Sequence, residues 1–392
     1  VRDLHLSVQV NCFINTQLSA MDSGLATCFV CLPGAGAKSL GLEGNIEDLD
    51  GPKELWLGRA SQLHEPDLQV NGNDPASVLA PLENVKGSVL GVVIFMHGSV
   101  GIAKPNLRLI RMLAGLGYLV LAPDSMATSK RRFRGLRSPP LEPGASTDYW
   151  SDNLVYTSGS EGELNYCSSV EQLLAEPESY RAIFEAVYLE RSEDLRRVLE
   201  SLPPFARAAG VFLVGSSEGS AALTRFDERS CGVPVLGRCL TSACLEYCYF
   251  TPTEEAARFG GSLSVPTVNV IGARDPFFGA EGSVAQRLAA DPGGCFRGSS
   301  AFTGNGYSAM EAQGLRPGLV CVLDSDKHDL TQTHDKLLRQ LLGSFLAAPA
   351  ACQERGAEWC AGAAAFAVDQ CSEGLVLLRE KPSGGAAAEE GA

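Results

Sequence analysis

The clearest pattern along this chain is an alternation between short apolar runs and longer stretches with helical spacing. Residues 88–98 (SVLGVVIFMHG) form an apolar run rich in β-branched residues, which is typical of a strand buried on both faces. Apolar positions at helical spacing follow over residues 105–116, and a second apolar run covers 118–122. A strand, a helix and a strand in this order predict a βαβ unit and therefore a parallel sheet.

The same alternation continues to residue 346 and predicts the α/β class, with a doubly wound, mostly parallel sheet and helices on both faces. Before residue 85 the pattern permits only short edge strands, at 26–32 and 53–57. We expect further strands at 211–214, 233–243, 265–272 and 318–323, and helices at 178–202, 217–225, 253–259, 280–290 and 331–346.

Three regions fall outside this alternation and suggest the domain boundaries. Residues 1–84 form an N-terminal segment, 85–347 form the α/β domain, and 348–392 form a C-terminal extension that we expect to be partly disordered, over 381–392. Residues 125–178 are rich in Ser, Pro and Gly, which indicates either a lid above the sheet or an exposed loop. The basic cluster at 130–137 either attracts an anionic substrate or is a solvated run of charge.

Composition narrows the class of protein. The chain has 392 residues, 45% hydrophobic and 20% charged, which fits a soluble globular protein. A net charge of −14 argues against nucleic acid as a partner, and no apolar stretch is long enough to predict a membrane span. We read no secretory signal and expect a cytoplasmic location. The 13 cysteines have no regular spacing, and the pair Cys28 and Cys31 lacks a second pair, so we expect reduced thiols and no metal site.

The strongest candidate chemistry lies in VFLVGSSEGSAALTRF, from residue 211 to 226. An apolar strand pattern runs into G-S-S-E-G and then into an Ala-rich helical pattern, which is the context that a nucleophile elbow requires. Gly215 and Gly219 supply the small residues that the sharp turn needs, and Ser217 becomes the exposed hydroxyl. The alternative is a Gly/Ser turn that merely joins a strand to a helix.

A serine nucleophile needs a base and a carboxylate that orients the base. Of the five histidines only His328 and His334 follow Ser217, and His328 comes directly after the last core strand, so we favour it as the base. Asp275 follows a buried strand in VNVIGARDPFFG and is the candidate acid. Two rival acids close to His328 in sequence are Asp324 and Asp326.

An oxyanion site requires two N–H donors. Glu218, directly after the nucleophile, offers one of them. The second donor is expected in MHGSVG (96–101), from Ser99 or from Gly98, with His97 orienting the loop. A plain Gly-rich turn is the alternative for this segment.

Over residues 85–347 the chain resembles the α/β-hydrolase superfamily, and within it the dienelactone hydrolase-like proteins. The likeness is carried by MHGSVG, GYLVLAPDS, VGSSEGS, VIGARDPFF and a histidine after the last strand. It implies an eight-stranded, mostly parallel sheet, a triad at Ser217, Asp275 and His328, and ester or lactone hydrolysis without a metal or organic cofactor. Typical dienelactone hydrolases use Cys as nucleophile, whereas this elbow holds Ser.

The sequence therefore favours a serine hydrolase acting on a small carboxylic ester, lactone or thioester. Two other functions fit the same fold. One is a non-catalytic binding or scaffold protein, suggested by the charge of Glu218 beside the nucleophile and by the long N-terminal segment. The other is acyl transfer to an acceptor other than water, which uses the same triad.

Overall fold

The structure is a computed structural model that describes part of the chain. It describes residues 27–32, 53–58, 68–70, 79–99, 101–102, 104–125, 177–243, 259–275, 307–315, 318–347 and 375–377. The 130–137 cluster, nearly all of the 125–178 excursion, the helix expected at 280–290, nearly all of that at 253–259, and the 381–392 tail lie outside these residues.

One mixed sheet organises the described residues. Its strands are β1 Thr27–Leu32, β2 Lys53–Gly58, β3 Leu68–Val70, β4 Gly91–Met96, β5 Tyr118–Pro123, β6 Val211–Ser216, β7 Val235–Thr241, β8 Thr267–Gly272, β9 Gly318–Leu323 and β10 Leu375–Leu377. Their spatial order is β10-β9-β8-β7-β6-β4-β5-β1-β2-β3.

Six neighbouring strands, β4 through β9, run parallel to one another. The antiparallel strand β1 pairs with β5 on one side and with β2 on the other, and β10 adds an antiparallel strand beyond β9. Parallel strands end at the same edge of a sheet, so the residues that follow β6, β7, β8 and β9 gather on one side of the molecule.

Helices cover both faces of this sheet. The α-helices are α1 Lys104–Gly115, α2 Pro177–Ser201, α3 Pro204–Ala209, α4 Glu218–Arg225, α5 Tyr307–Gln313 and α6 Asp335–Ala347, and short 3₁₀ helices occupy Ala80–Val85, Glu228–Cys231 and Leu330–Gln332. None of the helices in the described part of the chain is both long and apolar enough to cross a membrane.

The alternation of side chains along β4 divides the core in two. Ile94 and Met96 belong to an apolar cluster with α2 and α4, whereas Val93 and Phe95 belong to a second cluster with α1 and α6. Each strand of the central sheet is therefore buried on both faces, which explains why its sequence reads as a continuous apolar run. The doubly wound α/β class expected from the sequence is confirmed.

Some elements differ from the expectation. The sheet has ten strands in the described residues instead of the eight that the resemblance implies, because β1–β3 and β10 extend its edges. The last helix begins at Asp335 and not at 331, since the Asp329 carboxylate accepts from the Thr331 N–H and starts a separate 3₁₀ turn. Strand β3 and helices α3 and α5 have no counterpart in the sequence prediction.

Candidate active site

Ser217 sits on a strained turn between β6 and α4. Its backbone has φ 52° and ψ −119°, in a region that residues with a Cβ rarely adopt. The Ser217 N–H donates to the Thr241 carbonyl at 2.8 Å, and its own carbonyl accepts from the Ala221 N–H at 3.1 Å. These bonds hold the hydroxyl-bearing residue at the end of the parallel sheet, above the start of a helix.

The two glycines of the turn are required by sterics. A Cβ on Gly219 would lie 2.0 Å from the Met96 carbonyl oxygen of the neighbouring strand. A Cβ on Gly215 would lie 2.7 Å from the backbone nitrogen of Ser220, at the start of α4. Both contacts are far shorter than real Cβ atoms show, so the G-x-S-x-G spacing follows from the close approach of β4, β6 and α4.

Asp275 and His328 are brought together, although 53 positions separate them. His328 Nδ1 lies 2.7 Å from Asp275 Oδ2, and the carboxylate is fully buried whereas the imidazole is partly exposed. Asp275 follows β8 and is held by its N–H bond to the Gly272 carbonyl at 3.1 Å. A carboxylate can only accept, so Nδ1 carries the proton and Nε2 is left able to take one.

The rival residues lie elsewhere. Asp324 is exposed and pairs with Arg274, and Asp326 is exposed and pairs with Lys327. His334 ends the loop before α6, where its Nδ1 lies 2.9 Å from the Thr333 hydroxyl. Within the described residues, Asp275 is thus the carboxylate bonded to the His328 ring.

The loop that carries His328 is connected to the Ser217 turn through the end of β7, by contacts that the sequence did not reveal. The Ser242 hydroxyl donates to the His328 carbonyl, and Ser242 directly follows Thr241, which accepts the Ser217 N–H. On the other side, Asp329 accepts from Arg108 of α1 at 2.7 Å. Two hydrogen bonds and one peptide link therefore connect the Ser217 backbone to that of His328.

The loop after β4 lies against the turn of Ser217. A Cβ on Gly98 would lie 3.3 Å from the Ser216 carbonyl oxygen and 3.4 Å from the Ser217 Cβ, so the loop is in close contact with the turn. The Gly98 N–H donates to Asn106 Oδ1 at 3.1 Å, and Asn106 Nδ2 donates to the Gly101 carbonyl at 2.6 Å. The Gly98 N–H is consequently bonded to a side chain of α1.

The His97 side chain stabilises this loop through hydrogen bonds. Its Nε2 accepts from the Ser125 N–H at 3.1 Å, and Asp124 Oδ1 is 3.6 Å from the same nitrogen. Because Nε2 accepts, Nδ1 carries the proton and donates to the Gly98 carbonyl, 2.7 Å away. The buried imidazole therefore braces the loop through both ring nitrogens.

The Glu218 carboxylate, on the residue after Ser217, forms a buried ion pair. Glu218 is fully buried, and its Oε1 is 2.5 Å from Nη2 of Arg191, which is also fully buried on α2. Sequence reasoning did not identify Arg191, because it lies in a stretch of alternating Glu and Arg that looks like an exposed helix face. No three His, Cys, Asp or Glu side chains of the described residues group in a way that could hold a metal ion.

This strand order, with the Ser217 turn after β6 and the candidate acid and base after β8 and β9, is the α/β-hydrolase fold. No family model and no curated protein matches the sequence.

Solved structures do share similarity with the chain. TT1662 from Thermus thermophilus is 18% identical, with a TM-score of 0.36, over 67% of this chain and 90% of that one. A bromoperoxidase from Bacillus anthracis is 14% identical, with a TM-score of 0.34, over 66% and 92%. Brefeldin A esterase, a bacterial homologue of human hormone sensitive lipase, is 15% identical, with a TM-score of 0.30, over 67% and 70%.

Proposed function

We propose that this protein is a serine hydrolase, dienelactone hydrolase-like, that cleaves a small carboxylic ester, lactone or thioester through an acyl-enzyme. The observation that carries the proposal is the 2.7 Å contact between His328 and the buried Asp275, at the sheet edge that also bears the strained Ser217. An imidazole oriented by a carboxylate beside an elbow serine is the arrangement that activates a hydroxyl for acyl transfer.

Each residue of the proposed triad has one role in the reaction. The Ser217 oxygen attacks the substrate carbonyl carbon while His328 Nε2 takes the hydroxyl proton, and the Asp275 carboxylate stabilises the imidazolium that forms. When the tetrahedral intermediate collapses, the bond to the leaving group breaks and the imidazolium returns its proton to that group. Water then attacks the acyl-enzyme with the same proton relay, which releases the acid and regenerates Ser217.

Two N–H groups are assigned to the developing oxyanion. The Glu218 N–H lies in the first turn of α4, directly after Ser217 and at the positive end of the helix dipole. Ser99 supplies the second donor in preference to Gly98, because the Gly98 N–H already donates to Asn106. Removing one such donor in serine hydrolases costs about 100- to 1000-fold in rate. The triad and these donors account for ester cleavage without a metal or an organic cofactor.

Labelling with a fluorophosphonate probe tests the proposal. The probe should modify Ser217 stoichiometrically, and Ser217→Ala should abolish both the labelling and the turnover of p-nitrophenyl acetate. Ser216→Ala is the matched control, since it removes a hydroxyl from the adjacent residue and should leave labelling intact. A folded wild-type protein that neither labels nor releases p-nitrophenol would overturn the proposal in favour of a binding or scaffold protein.

The acyltransferase alternative has its own readout. Transfer to an acceptor is identified when the acyl-enzyme forms in a burst and then breaks down faster as the concentration of an added alcohol or amine increases. If water is the acceptor, the product is the free acid at every concentration of added nucleophile. Mass spectrometry of the products separates the two.

A further inference from the structure

Arg191 carries a fully buried guanidinium in the middle of α2, and this group contacts both the loop after β4 and the turn after β6 of the candidate site. Burying a guanidinium is unfavourable unless acceptors surround it. Arg191 Nη2 lies 2.5 Å from Glu218 Oε1, Nη1 donates to the His97 carbonyl at 2.7 Å, and Nη2 is 3.3 Å from the Gly98 carbonyl. One side chain on α2 thus joins the turn after β6 to the loop after β4.

These acceptors belong to the backbone units that carry the proposed oxyanion donors. The Gly98 carbonyl and the Ser99 N–H are parts of one planar trans peptide, so they point in opposite directions. A guanidinium that holds the carbonyl therefore fixes the direction of the N–H on the far side of the same peptide. It also polarises that N–H, because hydrogen bonds in a chain strengthen one another.

The other donor is held by the same guanidinium. Glu218 is the residue whose N–H faces the oxyanion in the proposed mechanism, and its carboxylate is bound to Arg191. His97 Nδ1 donates a second hydrogen bond, of 2.7 Å, to the Gly98 carbonyl, while its Nε2 accepts from the Ser125 N–H. Arg191 therefore contacts both segments that carry the proposed oxyanion donors, the loop after β4 and the turn after β6.

We propose that Arg191 is a positioning residue that sets the separation and direction of the Glu218 and Ser99 N–H groups and so determines how strongly the oxyanion is stabilised. This inference rests on the proposed function. It predicts that loss of Arg191 weakens binding of the tetrahedral, negatively charged state more than binding of the substrate.

A purely structural ion pair is the competing explanation, and the chain contains a matched control for it. Arg238 on β7 is also fully buried, lies 2.7 Å from Glu228 through Nη2, and donates to the Ser262 carbonyl at 3.0 Å. In the sheet, Arg238 is level with Leu213, four residues before the nucleophile. Arg238→Met thus removes an equivalent buried charge without touching the oxyanion loop.

The experiment compares Arg191→Met and Arg238→Met in the full chain, with active sites counted by fluorophosphonate labelling. For each variant, kcat/KM for p-nitrophenyl acetate is measured per active site, together with the inhibition constant of a trifluoromethyl ketone that forms a tetrahedral anionic adduct. For Arg191→Met we expect kcat/KM to fall about 100-fold and the inhibition constant of the ketone to rise about 100-fold, with little change in KM. Arg238→Met should lower stability and leave both quantities within about twofold of wild type.

Arg191→Lys covers the case in which Arg191→Met does not fold. Its ammonium keeps the charge beside Glu218 but lacks the fork that reaches the two carbonyls at once. We expect Arg191→Lys to fold and to lose at least about 10-fold in affinity for the ketone. Wild-type values for Arg191→Lys would overturn the proposal.

The double variant Arg191→Met/Glu218→Gln separates positioning from charge balance. Removing both charges should restore thermal stability relative to Arg191→Met, because no unpaired carboxylate is left in the interior. The rate per active site should stay low. Recovery of the rate together with stability would overturn the positioning role while leaving the serine hydrolase intact, whereas a wild-type protein without labelling overturns both.

Discussion

The Ser242 hydroxyl donates a hydrogen bond to the backbone carbonyl of His328. The backbone of Ser242 has the same positive φ as that of Ser217. Both serines have φ 52°, and among the described residues they are the non-glycine positions with positive φ. They follow neighbouring parallel strands, with Ser216 and Thr241 in register. Such conformations cost about 1–3 kcal/mol each and persist where the surroundings enforce them.

Ser242→Ala should therefore impair catalysis by loosening the base. The substitution removes one hydrogen bond from the His328 loop but keeps Ser217, Asp275 and the sheet unchanged. We expect kcat/KM for p-nitrophenyl acetate to fall about 10-fold, equivalent to about 1.4 kcal/mol.

Ser242→Gly separates the hydrogen bond from the strain. It also removes the hydroxyl, yet it adopts positive φ at no cost, so its melting temperature should exceed that of Ser242→Ala. Ser264→Ala, on an exposed loop, is the control for loss of a serine hydroxyl. Unchanged kinetics in both Ser242 variants would show that the His328 loop keeps its place without this bond.

Asp275→Asn tests the orientation of the imidazole. An amide at this position can present its N–H₂ to Nδ1, which selects the tautomer with the proton on Nε2 and leaves no base for Ser217. We expect kcat to fall about 10⁴-fold with little loss of folded protein, as measured by burst kinetics and circular dichroism.

Asp326→Asn is the matched control for that change. Asp326 precedes His328 by two residues but is exposed and paired with Lys327, so its loss should leave kcat unaltered. If Asp326→Asn and Asp275→Asn reduced kcat equally, the assignment of Asp275 as the residue that orients His328 would be contradicted.

The sequence located the candidate triad because strand ends are easy to identify. Ser217, Asp275 and His328 each come just after a continuous apolar run, and parallel strands deliver such positions to one edge of the sheet. The described core strands agree with those runs to within a few residues, and β9 agrees at both ends. Period and spacing are local signals, and they were sufficient to place the ends of these three strands.

Long-range partners could not be predicted in the same way. Arg191 is buried only because α2 packs over the elbow, where Glu218 needs a counter-ion, and no local pattern encodes that meeting. Asn106, in the first turn of α1, accepts a hydrogen bond from the Gly98 N–H. A helical pattern alone predicts only an ordinary surface position there. Strands β1 and β10 join the sheet edges by antiparallel pairing, which sequence periodicity does not specify.

Gly219→Ala should destabilise the protein by overpacking. The added methyl would lie 2.0 Å from the Met96 carbonyl oxygen, and neither can move unless the backbone of α4 or of β4 moves with it. We expect a loss of about 3 kcal/mol or more in the free energy of unfolding, read from urea denaturation.

Gly343→Ala provides the opposite sign for comparison. Gly343 lies inside α6, and a methyl there would meet only the flexible end of Leu116, at 3.2 Å. Replacing a helical glycine by alanine gains up to about 1 kcal/mol, so this variant should be as stable as wild type or more stable. Equal destabilisation by both changes would contradict the steric explanation of the elbow glycines.

Cys239 should be unreactive until the protein unfolds. Burial raises the pKa of its thiol well above the ordinary value, and the neighbouring Cys321 raises it further. A raised thiol pKa means that little thiolate exists at pH 8, and the thiolate is the species that attacks iodoacetamide. Both cysteines are fully buried in the described structure, on β7 and β9.

In native protein at pH 8, we therefore expect peptide mass mapping to find Cys239 and Cys321 unmodified after an hour of exposure to iodoacetamide. In 8 M urea both should be carbamidomethylated within minutes, because unfolding removes the barrier to access and returns the pKa to its usual range. Cys231, also buried but at the edge of a short 3₁₀ helix, should react at an intermediate rate. Rapid native labelling of Cys239 would mean that β7 opens locally at a free energy well below that of global unfolding.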